Sequence, residues 1–154
     1  MSARLDVRWR FRRMLAADLD AVEAIERSVY THPWTRGNFT DSLEAGYHCS
    51  IIECDGAIAG YSVVMIAAGE AHLLNLSIAG PLQRLGLGSE LLRHVVSQTR
   101  NHGALTIYLE VRESNVAGRS LYTRHGFAEI GLRRGYYPAD AAREDAVTME
   151  KKLS

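Results

Sequence analysis

The 154-residue chain is poor in cysteine, proline and lysine, and it has no excess of charge of either sign. Its two cysteines, Cys49 and Cys54, are too few for a disulfide framework. They fit a reducing compartment, and we expect them to be small core or surface residues. Its formal net charge of zero gives no reason to expect direct nucleic-acid binding or attraction to an anionic membrane.

Long hydrophobic runs are also missing. The longest, residues 61–68, is much too short to cross a bilayer, and the arginine-rich N-terminus lacks the apolar core of a secretory signal. Apolar residues at positions 5, 7, 9 and 11 alternate with charged ones, which is typical of a strand. We therefore expect a cytoplasmic protein that has no membrane partner.

No internal repeat, low-complexity block or Pro/Ser-rich linker divides the chain. A hydrophobic content of 47% with 23% charged residues is ordinary for a globular protein, and the length suits one domain with a real core. We expect a single domain over residues 1–154, in which about residues 1–6 form an N-terminal extension.

Hydrophobic periodicity and turn residues predict the order β-α-α-β-β-β-α-β-α-β-β. An Asp55-Gly56 turn joins two strands as a hairpin, and Asp18 and Thr35 are the expected N-caps of the first two helices. Strand, long helix and strand in the middle of the chain indicate a right-handed βαβ unit with two parallel strands. The fold class is therefore α/β, an α+β mixed sheet with helices on its faces. The predicted strands cover 7–14, 50–54, 57–67, 74–78, 105–111, 128–134 and 144–152, and the predicted helices cover 18–29, 35–46, 87–103 and 115–125.

A glycine-containing stretch, Gln83-Arg84-Leu85-Gly86-Leu87-Gly88, lies where a strand gives way to the long helix. A P-loop is excluded because the stretch has no lysine to reach terminal phosphates. A dinucleotide fingerprint is disfavoured because its third glycine would fall at Leu91 and because several strands precede it. Two readings remain open at this point: a pyrophosphate cradle at a helix N-terminus, or a tight turn into the helix.

In this context the stretch resembles the acetyl-coenzyme A motif of the GNAT superfamily of N-acetyltransferases, Gln/Arg-x-x-Gly-x-Gly/Ala. More specifically, the chain is similar to the bacterial branch that acetylates the N-terminal alanine of a small-subunit ribosomal protein. The resemblance covers nearly the whole chain and implies the acyl-CoA N-acyltransferase fold. One departure is Ala79-Gly80-Pro81-Leu82, where the family usually has an Asp-Pro pair. The matching residues are Asp18-Leu19, Pro33-Trp34, Leu109-Glu110-Val111-Arg112, Ser114-Asn115, Leu121-Tyr122, His125-Gly126-Phe127, Arg133-Arg134, Tyr136-Tyr137-Pro138 and Arg143-Glu144-Asp145-Ala146.

The resemblance implies acetyl-CoA as cosubstrate, with Glu110 as general base and Tyr122 as general acid. A solvated strand-end carboxylate and a core aromatic are the alternatives for these two residues. Four further residues are candidates for gripping a peptide end or for packing in loops: Trp34, Arg133, Tyr136 and Tyr137. The implied cofactor contacts are the backbone of Leu76, Ser77 and Ile78, the diphosphate loop of Arg84, Leu85, Gly86, Leu87, Gly88 and Ser89, and Asn115.

Acetyl transfer needs a neutral amine, a stabilised carbonyl oxygen and a protonated leaving thiolate. An N-terminal amine has a pKa of about 7.7–8.0, against about 10.4 for lysine, so it demands less of a carboxylate base. A phenol such as Tyr122 can protonate the sulfur. If the N–H of Ile78 is to stabilise the carbonyl oxygen, the strand must bulge or splay there.

These patterns lead us to expect direct acetyl transfer to an N-terminal alanine within a ternary complex, by a monomer or weak dimer. The alternatives are an acetyltransferase of lysine or small-molecule amines, and a non-catalytic acyl-CoA-binding module. No metal is expected, because the six histidines show no ligand spacing and are taken as scattered surface residues.

Overall fold

The computed structural model describes residues 8–153, and in them the strands form one mixed sheet with the order β1-β2-β3-β4-β5-β7-β6. The order of strands and helices along the chain is the predicted one. Residues 1–7, which hold the expected N-terminal extension and the start of the first predicted strand, lie outside the described part. The elements are β1 Trp9–Arg13, α1 Leu19–Val29, α2 Arg36–Glu44, β2 His48–Cys54, β3 Ala57–Ala67, β4 Glu70–Ile78, α3 Leu87–Asn101, β5 Thr106–Arg112, α4 Val116–Arg124, β6 Ala128–Pro138 and β7 Arg143–Lys152.

Two tight hairpins build the first half of the sheet. Asp55 and Gly56 both have positive φ, 52° and 83°, which is the type I′ geometry that the Asp-Gly pair predicts. Ala68 and Gly69 adopt the same geometry, with φ of 53° and 80°. Because this second hairpin places an alanine in the left-handed region, it gave no turn signal, and β4 begins at Glu70 rather than at the predicted residue 74.

The two predicted N-caps differ in the structure. Thr35 caps α2 as expected, since its side-chain oxygen accepts a hydrogen bond from the backbone N–H of Asn38. Asp18 precedes α1 but makes no side-chain cap bond. Its own backbone is already helical, at φ −83° and ψ −13°, so its carboxylate turns back to accept bonds from Arg12 and from the N–H of Leu15. Asp18 is therefore the N-cap residue of α1, as predicted, but its side chain does not cap the helix.

Helices cover both faces of the sheet. On one face, α3 buries Leu91, Leu92 and Val95 against the central strands. On the other, α1 and α2 bury Val22 and Phe39. Both free cysteines are buried, as small core residues would be. None of the described helices is long and apolar enough to cross a membrane.

The parallel pair β4 and β5 separates part of the way along its length. Its last paired residues are Leu73 and Leu109, although β4 continues to Ile78 and β5 to Arg112. A register shift in the β3–β4 ladder makes Leu74 an extra, bulged residue at the same level. The predicted bulge or splay is thus present, and it begins four residues before Ile78. We call the gap beyond Leu73 and Leu109 the strand opening.

At the far edge of the sheet, β6 is longer than predicted. Tyr136 and Tyr137 belong to the strand and not to a loop, because Tyr137 pairs with Glu144 in β7. A register shift interrupts the ladder between Arg133 and Tyr137. Gly135 lies in this irregular stretch with φ of 60°, and its N–H donates to the carboxylate of Asp145.

Candidate active site

Backbone groups of β4 line the strand opening. The N–H of Ala79 donates to the carbonyl of Ala59 in β3. Backbone groups alternate sides along a strand, so the N–H and C=O of Ile78 point away from β3 and toward the strand opening. The carbonyl of Ile78 accepts a bond from the side-chain amide of Gln83 at 3.0 Å. The N–H of Ile78 is consequently the group that faces the gap, as an oxyanion donor would require.

The predicted diphosphate loop leads from the end of β4 into α3. The departure at Ala79-Gly80-Pro81 forms a short 3-10 turn over Gly80–Leu82. Arg84 and Gly86 then have positive φ, 67° and 85°. Gly86 is the N-cap of α3 and offers no side-chain cap, so the first backbone N–H groups of the helix have no intrahelical acceptor.

The side chains of the loop have different surroundings. Leu87 is buried in the core and Leu85 packs partly against it, so only their backbones can serve a ligand. The hydroxyl of Ser89 lies 3.0 Å from Nε2 of His125, at the end of α4. Arg84 is exposed. The structure therefore leaves the guanidinium of Arg84 and the backbone N–H groups as the available donors.

Glu110 lies on β5 one residue past the point where β4 and β5 separate. Its side chain is only 6% exposed, and Oε1 is 2.8 Å from Nε2 of His72 on β4. The hydrogen bond from His72 lowers the pKa of Glu110 against the opposing effect of burial, with a smaller contribution from Arg133. The carboxylate is thus held in its ionised form in a largely buried position.

Tyr122 lies on α4 and packs edge-on against Phe127, with ring centroids 5.7 Å apart. Burial raises the pKa of its phenol first, and Tyr30 and Tyr137 raise the pKa further. No hydrogen bond of its hydroxyl is found among residues 8–153. The phenol therefore stays protonated at neutral pH and is free to donate its hydrogen to a ligand.

Asn115, the predicted cofactor contact beyond β5, caps α4 in the structure. Its Oδ1 accepts a hydrogen bond from the backbone N–H of Gly118 at 2.9 Å. A Cβ at Gly118 would lie 2.6 Å from the Asn115 amide nitrogen, so the glycine makes room for the cap. A cofactor contact by Asn115 stays a prediction. Its side-chain NH2 group would have to make this contact, because Oδ1 is already bonded to Gly118.

Three of the four candidate peptide-gripping residues lie on β6: Arg133, Tyr136 and Tyr137. Arg133 and Tyr137 are close enough to Glu110 for charge interactions that shift pKa values. Burial raises the pKa of Tyr137, and the guanidinium of Arg112 lies over its ring at 4.6 Å. Tyr136 precedes Tyr137 on β6, and its side chain is 43% exposed.

Trp34 lies in the segment between α1 and α2. Its ring packs against Phe39 at 5.1 Å, and its backbone N–H donates to the carboxylate of Glu26. Two residues earlier, Nε2 of His32 lies 3.6 Å from Asp140 in the β6–β7 connection. The α1–α2 segment and the β6–β7 connection therefore approach each other at this point.

The expectation that all six histidines are scattered surface residues was wrong for three of them. His72, His94 and His125 are half-buried and bonded to Glu110, Ser50 and Ser89 respectively. Because the predicted strand began at residue 74, it left out His72, and no sequence signal placed this histidine beside Glu110. Within the described part of the chain, no group of three or more His, Cys, Asp or Glu side chains is placed to hold a metal.

The strand opening, the glycine loop at the start of α3 and the buried carboxylate of Glu110 lie together at the carboxyl ends of β4 and β5. The family model described as the Acetyltransferase (GNAT) family matches residues 19–127. The chain belongs to this family of acetyltransferases, which confirms the resemblance found in the sequence.

Among individual proteins, the chain is similar to the ribosomal protein bS18-alanine N-acetyltransferase of Escherichia coli strain K12. The two are 35% identical over 137 residues, which cover 89% of this chain and 93% of the relative. The crystal structure of the ribosomal-protein-S18-alanine N-acetyltransferase from Escherichia coli matches with a TM-score of 0.90 and 33% identity, covering 96% of this chain and 95% of that one. A Salmonella typhimurium structure that contains acetyl-CoA has a TM-score of 0.80, with 19% identity and coverage of 95% and 94%, and shares the fold.

Proposed function

We propose that this chain is an acetyl-CoA-dependent acetyltransferase of N-terminal α-amines, whose substrate is the N-terminal alanine of a small-subunit ribosomal protein. The observation that carries the proposal is the ionised, buried carboxylate of Glu110 beside the strand opening. The similarity to bS18-alanine N-acetyltransferases over nearly the whole chain supports the choice of substrate.

The site residues fit acetyl-CoA at two places. The backbone groups of Leu76 and Ile78 face the strand opening, where an amide-containing pantetheine arm would find hydrogen-bonding partners. The predicted backbone contact of Ser77 does not fit, because its N–H and C=O point toward β3. The uncapped start of α3, with Arg84 beside it, suits a diphosphate. When bound, acetyl-CoA supplies the acetyl group as a thioester.

The proposed mechanism is direct transfer in a ternary complex. Glu110 accepts one proton from the N-terminal ammonium, either directly or through water. The N–H of Ile78 stabilises the carbonyl oxygen while the amine nitrogen bonds to the carbonyl carbon and the carbon–sulfur bond breaks. Tyr122 donates its proton to the departing sulfur. Its raised pKa suits this role, because the phenol remains protonated until a stronger base forms beside it. The second proton that the nitrogen loses as the amide forms passes to the Tyr122 oxygen, directly or through water, and restores the phenol.

The proposal includes the other expectations from the sequence. The chain acts as one domain and as a monomer or weak dimer, in the cytoplasm, where ribosomal proteins are made. Its partner is the free N-terminus of a protein and not nucleic acid. The residues proposed to grip that N-terminus are Trp34, Arg133, Tyr136 and Tyr137. Arg133 and Tyr137 support this role because both lie close enough to Glu110 for charge interactions.

The substrate is tested with synthetic peptides that begin Ala-Arg-Tyr, with free or blocked N-termini, by measuring thiol release from acetyl-CoA. Free N-termini should be acetylated and blocked ones should not. Equal activity on blocked peptides that contain lysine would reject the N-terminal assignment.

The roles of the two catalytic groups are tested with Glu110→Gln and Tyr122→Phe. Each should lower kcat by about 10²–10⁴, the usual range for acid–base groups. Glu113→Gln is the matched control, since Glu113 is an exposed carboxylate just past the end of β5, and its kcat should stay within about twofold of wild type. Wild-type turnover in both catalytic variants, with folding intact, would reject the assignment.

A further inference from the structure

A buried carboxylate outside the proposed mechanism lies at the start of a hydrogen-bond chain that ends in the strand opening. Glu26 on α1 is only 2% exposed. Its Oε1 accepts bonds from the Tyr61 hydroxyl at 2.8 Å and from Nδ2 of Asn75 at 3.1 Å. Its Oε2 accepts the backbone N–H of Trp34 at 2.9 Å. These three donors come from β3, β4 and the α1–α2 segment.

The chemistry of these groups sets the direction of every bond that follows. A carboxylate accepts only, so Asn75 must present its amide nitrogen to Glu26 and its oxygen to Ser77. The Ser77 hydroxyl donates its one hydrogen to Oδ1 of Asn75 at 2.7 Å. The contact of 2.7 Å between the Tyr30 and Ser77 hydroxyls must then have Tyr30 as its donor.

Tyr30 therefore donates its only hydrogen to the Ser77 hydroxyl on β4, and its own oxygen remains available as an acceptor. The same hydroxyl lies 3.4 Å from the carbonyl oxygen of Leu76, in the part of β4 that has no β5 partner. Tyr30 is also close enough to Tyr122 to contribute to the raised pKa of that phenol. The oxygen of Tyr30 is thus an acceptor fixed at the margin of the strand opening.

We propose that Tyr30 is a further residue of the acceptor site, whose hydroxyl oxygen accepts a hydrogen bond from the incoming amine, and that Glu26 is the positioning residue that fixes its direction. The proposal deepens the proposed function and rests on it. A neutral amine has two N–H groups and one lone pair. Holding one N–H on Tyr30 would aim the lone pair at the carbonyl carbon.

The test compares two tyrosines that are bonded into the same network. Tyr30→Phe should lower kcat/KM for an Ala-Arg-Tyr peptide by about tenfold or more, the effect of losing one hydrogen bond to a charged or reacting group. Its dissociation constant for acetyl-CoA, measured by calorimetry, should stay within about twofold, since the lost contact serves the amine. Tyr61→Phe removes another hydroxyl from Glu26 but no group from the strand opening. It should lower the melting temperature and leave kcat/KM within about twofold of wild type.

Glu26→Gln tests the direction of the chain. A glutamine amide would place a donor against Trp34 or Asn75, so the loss in kcat/KM should at least equal that of Tyr30→Phe. The kcat/KM of the double variant Glu26→Gln/Tyr30→Phe should be little lower than that of Glu26→Gln alone, because both changes remove the same contact to the amine. If Glu26→Gln does not fold, Ser77→Ala takes its place, since it removes the acceptor of the Tyr30 hydrogen without touching a buried charge. The kcat/KM of Ser77→Ala should lie between that of wild type and that of Tyr30→Phe.

Two results would overturn the role of Tyr30 while leaving the proposed function intact. One is kcat/KM within twofold of wild type in Tyr30→Phe while Glu110→Gln is inactive. The other is a loss of acetyl-CoA affinity as large as the loss of kcat/KM, which would assign Tyr30 to the cofactor. Failure of the wild-type protein to acetylate any free N-terminus is a different pattern, and it would defeat the proposed function together with this extension.

Discussion

Replacing His72 with leucine should move the acid limb of the pH–rate profile to higher pH. In the proposed mechanism Glu110 must be ionised to act as the base, so activity should fall as pH drops through the pKa of Glu110. In the folded protein the hydrogen bond from His72 holds that pKa below its usual range. Leucine removes the donor but leaves the carboxylate buried. The pKa of Glu110 then rises, and the loss of activity begins at a higher pH.

The size of the effect follows from the surroundings of the bond. Glu110 is only 6% exposed, so water cannot replace the donor that His72 supplies at 2.8 Å. A hydrogen bond to a charged group is worth about 1.5–3 kcal/mol, and about 1.4 kcal/mol is a factor of ten. On the acid limb, kcat/KM of His72→Leu should therefore be about 10- to 100-fold below wild type. At pH values well above the acid limb, the kcat/KM values of His72→Leu and wild type should converge.

The assay is kcat/KM for the free Ala-Arg-Tyr peptide, followed by thiol release across the pH range in which the protein stays folded. His72→Gln is the matched variant, because its amide N–H can still donate to Glu110, and its profile should stay close to wild type. Superimposable profiles for His72→Leu and wild type would refute the account of Glu110 as an ionised base held by His72.

Four further substitutions test other features of the structure. Arg12→Ala should lower the free energy of unfolding by only about 1 kcal/mol at pH 7, since Arg12 is partly in solvent. In urea titrations the difference in this free energy between wild type and Arg12→Ala should narrow as the pH falls, because Arg12 lowers the folded-state pKa of Asp18. A difference that stays constant with pH would contradict this. Gly60→Ala places a Cβ 2.4 Å from a β4 carbonyl oxygen and should cost about 1–3 kcal/mol in thermal melts. Gly80→Ala, whose Cβ meets nothing within 4 Å, should be close to neutral, and equal melting of the two would refute the clash. Tyr122→Phe should change stability by less than about 0.5 kcal/mol while kcat falls about 10²–10⁴, and a large loss of stability would mean a structural hydroxyl.

The element order was predictable because each segment carries its own local signal. The Asp55-Gly56 pair predicts its hairpin and Thr35 predicts its cap, since each needs only its sequence neighbours. The Ala68-Gly69 hairpin was missed because alanine rarely adopts positive φ, and only the strand pairing on either side forces it. The length of β6 was missed for a related reason: its outer half is exposed and is held by pairing with β7.

The candidate site was predictable only where a family motif carried it. Glu110 and Tyr122 followed from the resemblance, but the bond between His72 and Glu110 joins residues 38 positions apart and depends on the register of two parallel strands. The network of Glu26 likewise combines donors from three separate elements. Such contacts are set by tertiary packing, for which neither periodicity nor turn chemistry provides a signal.

The most direct test of the central claim is competition within one peptide that carries a free N-terminal alanine and an internal lysine. At pH 7 roughly a tenth of the α-amine is neutral, against about one lysine amine in several thousand. After limited reaction with acetyl-CoA, tandem mass spectrometry should find the acetyl group almost entirely on the N-terminal nitrogen, and Glu110→Gln should abolish the product. Acetylation of the lysine in preference to the N-terminus would contradict the account.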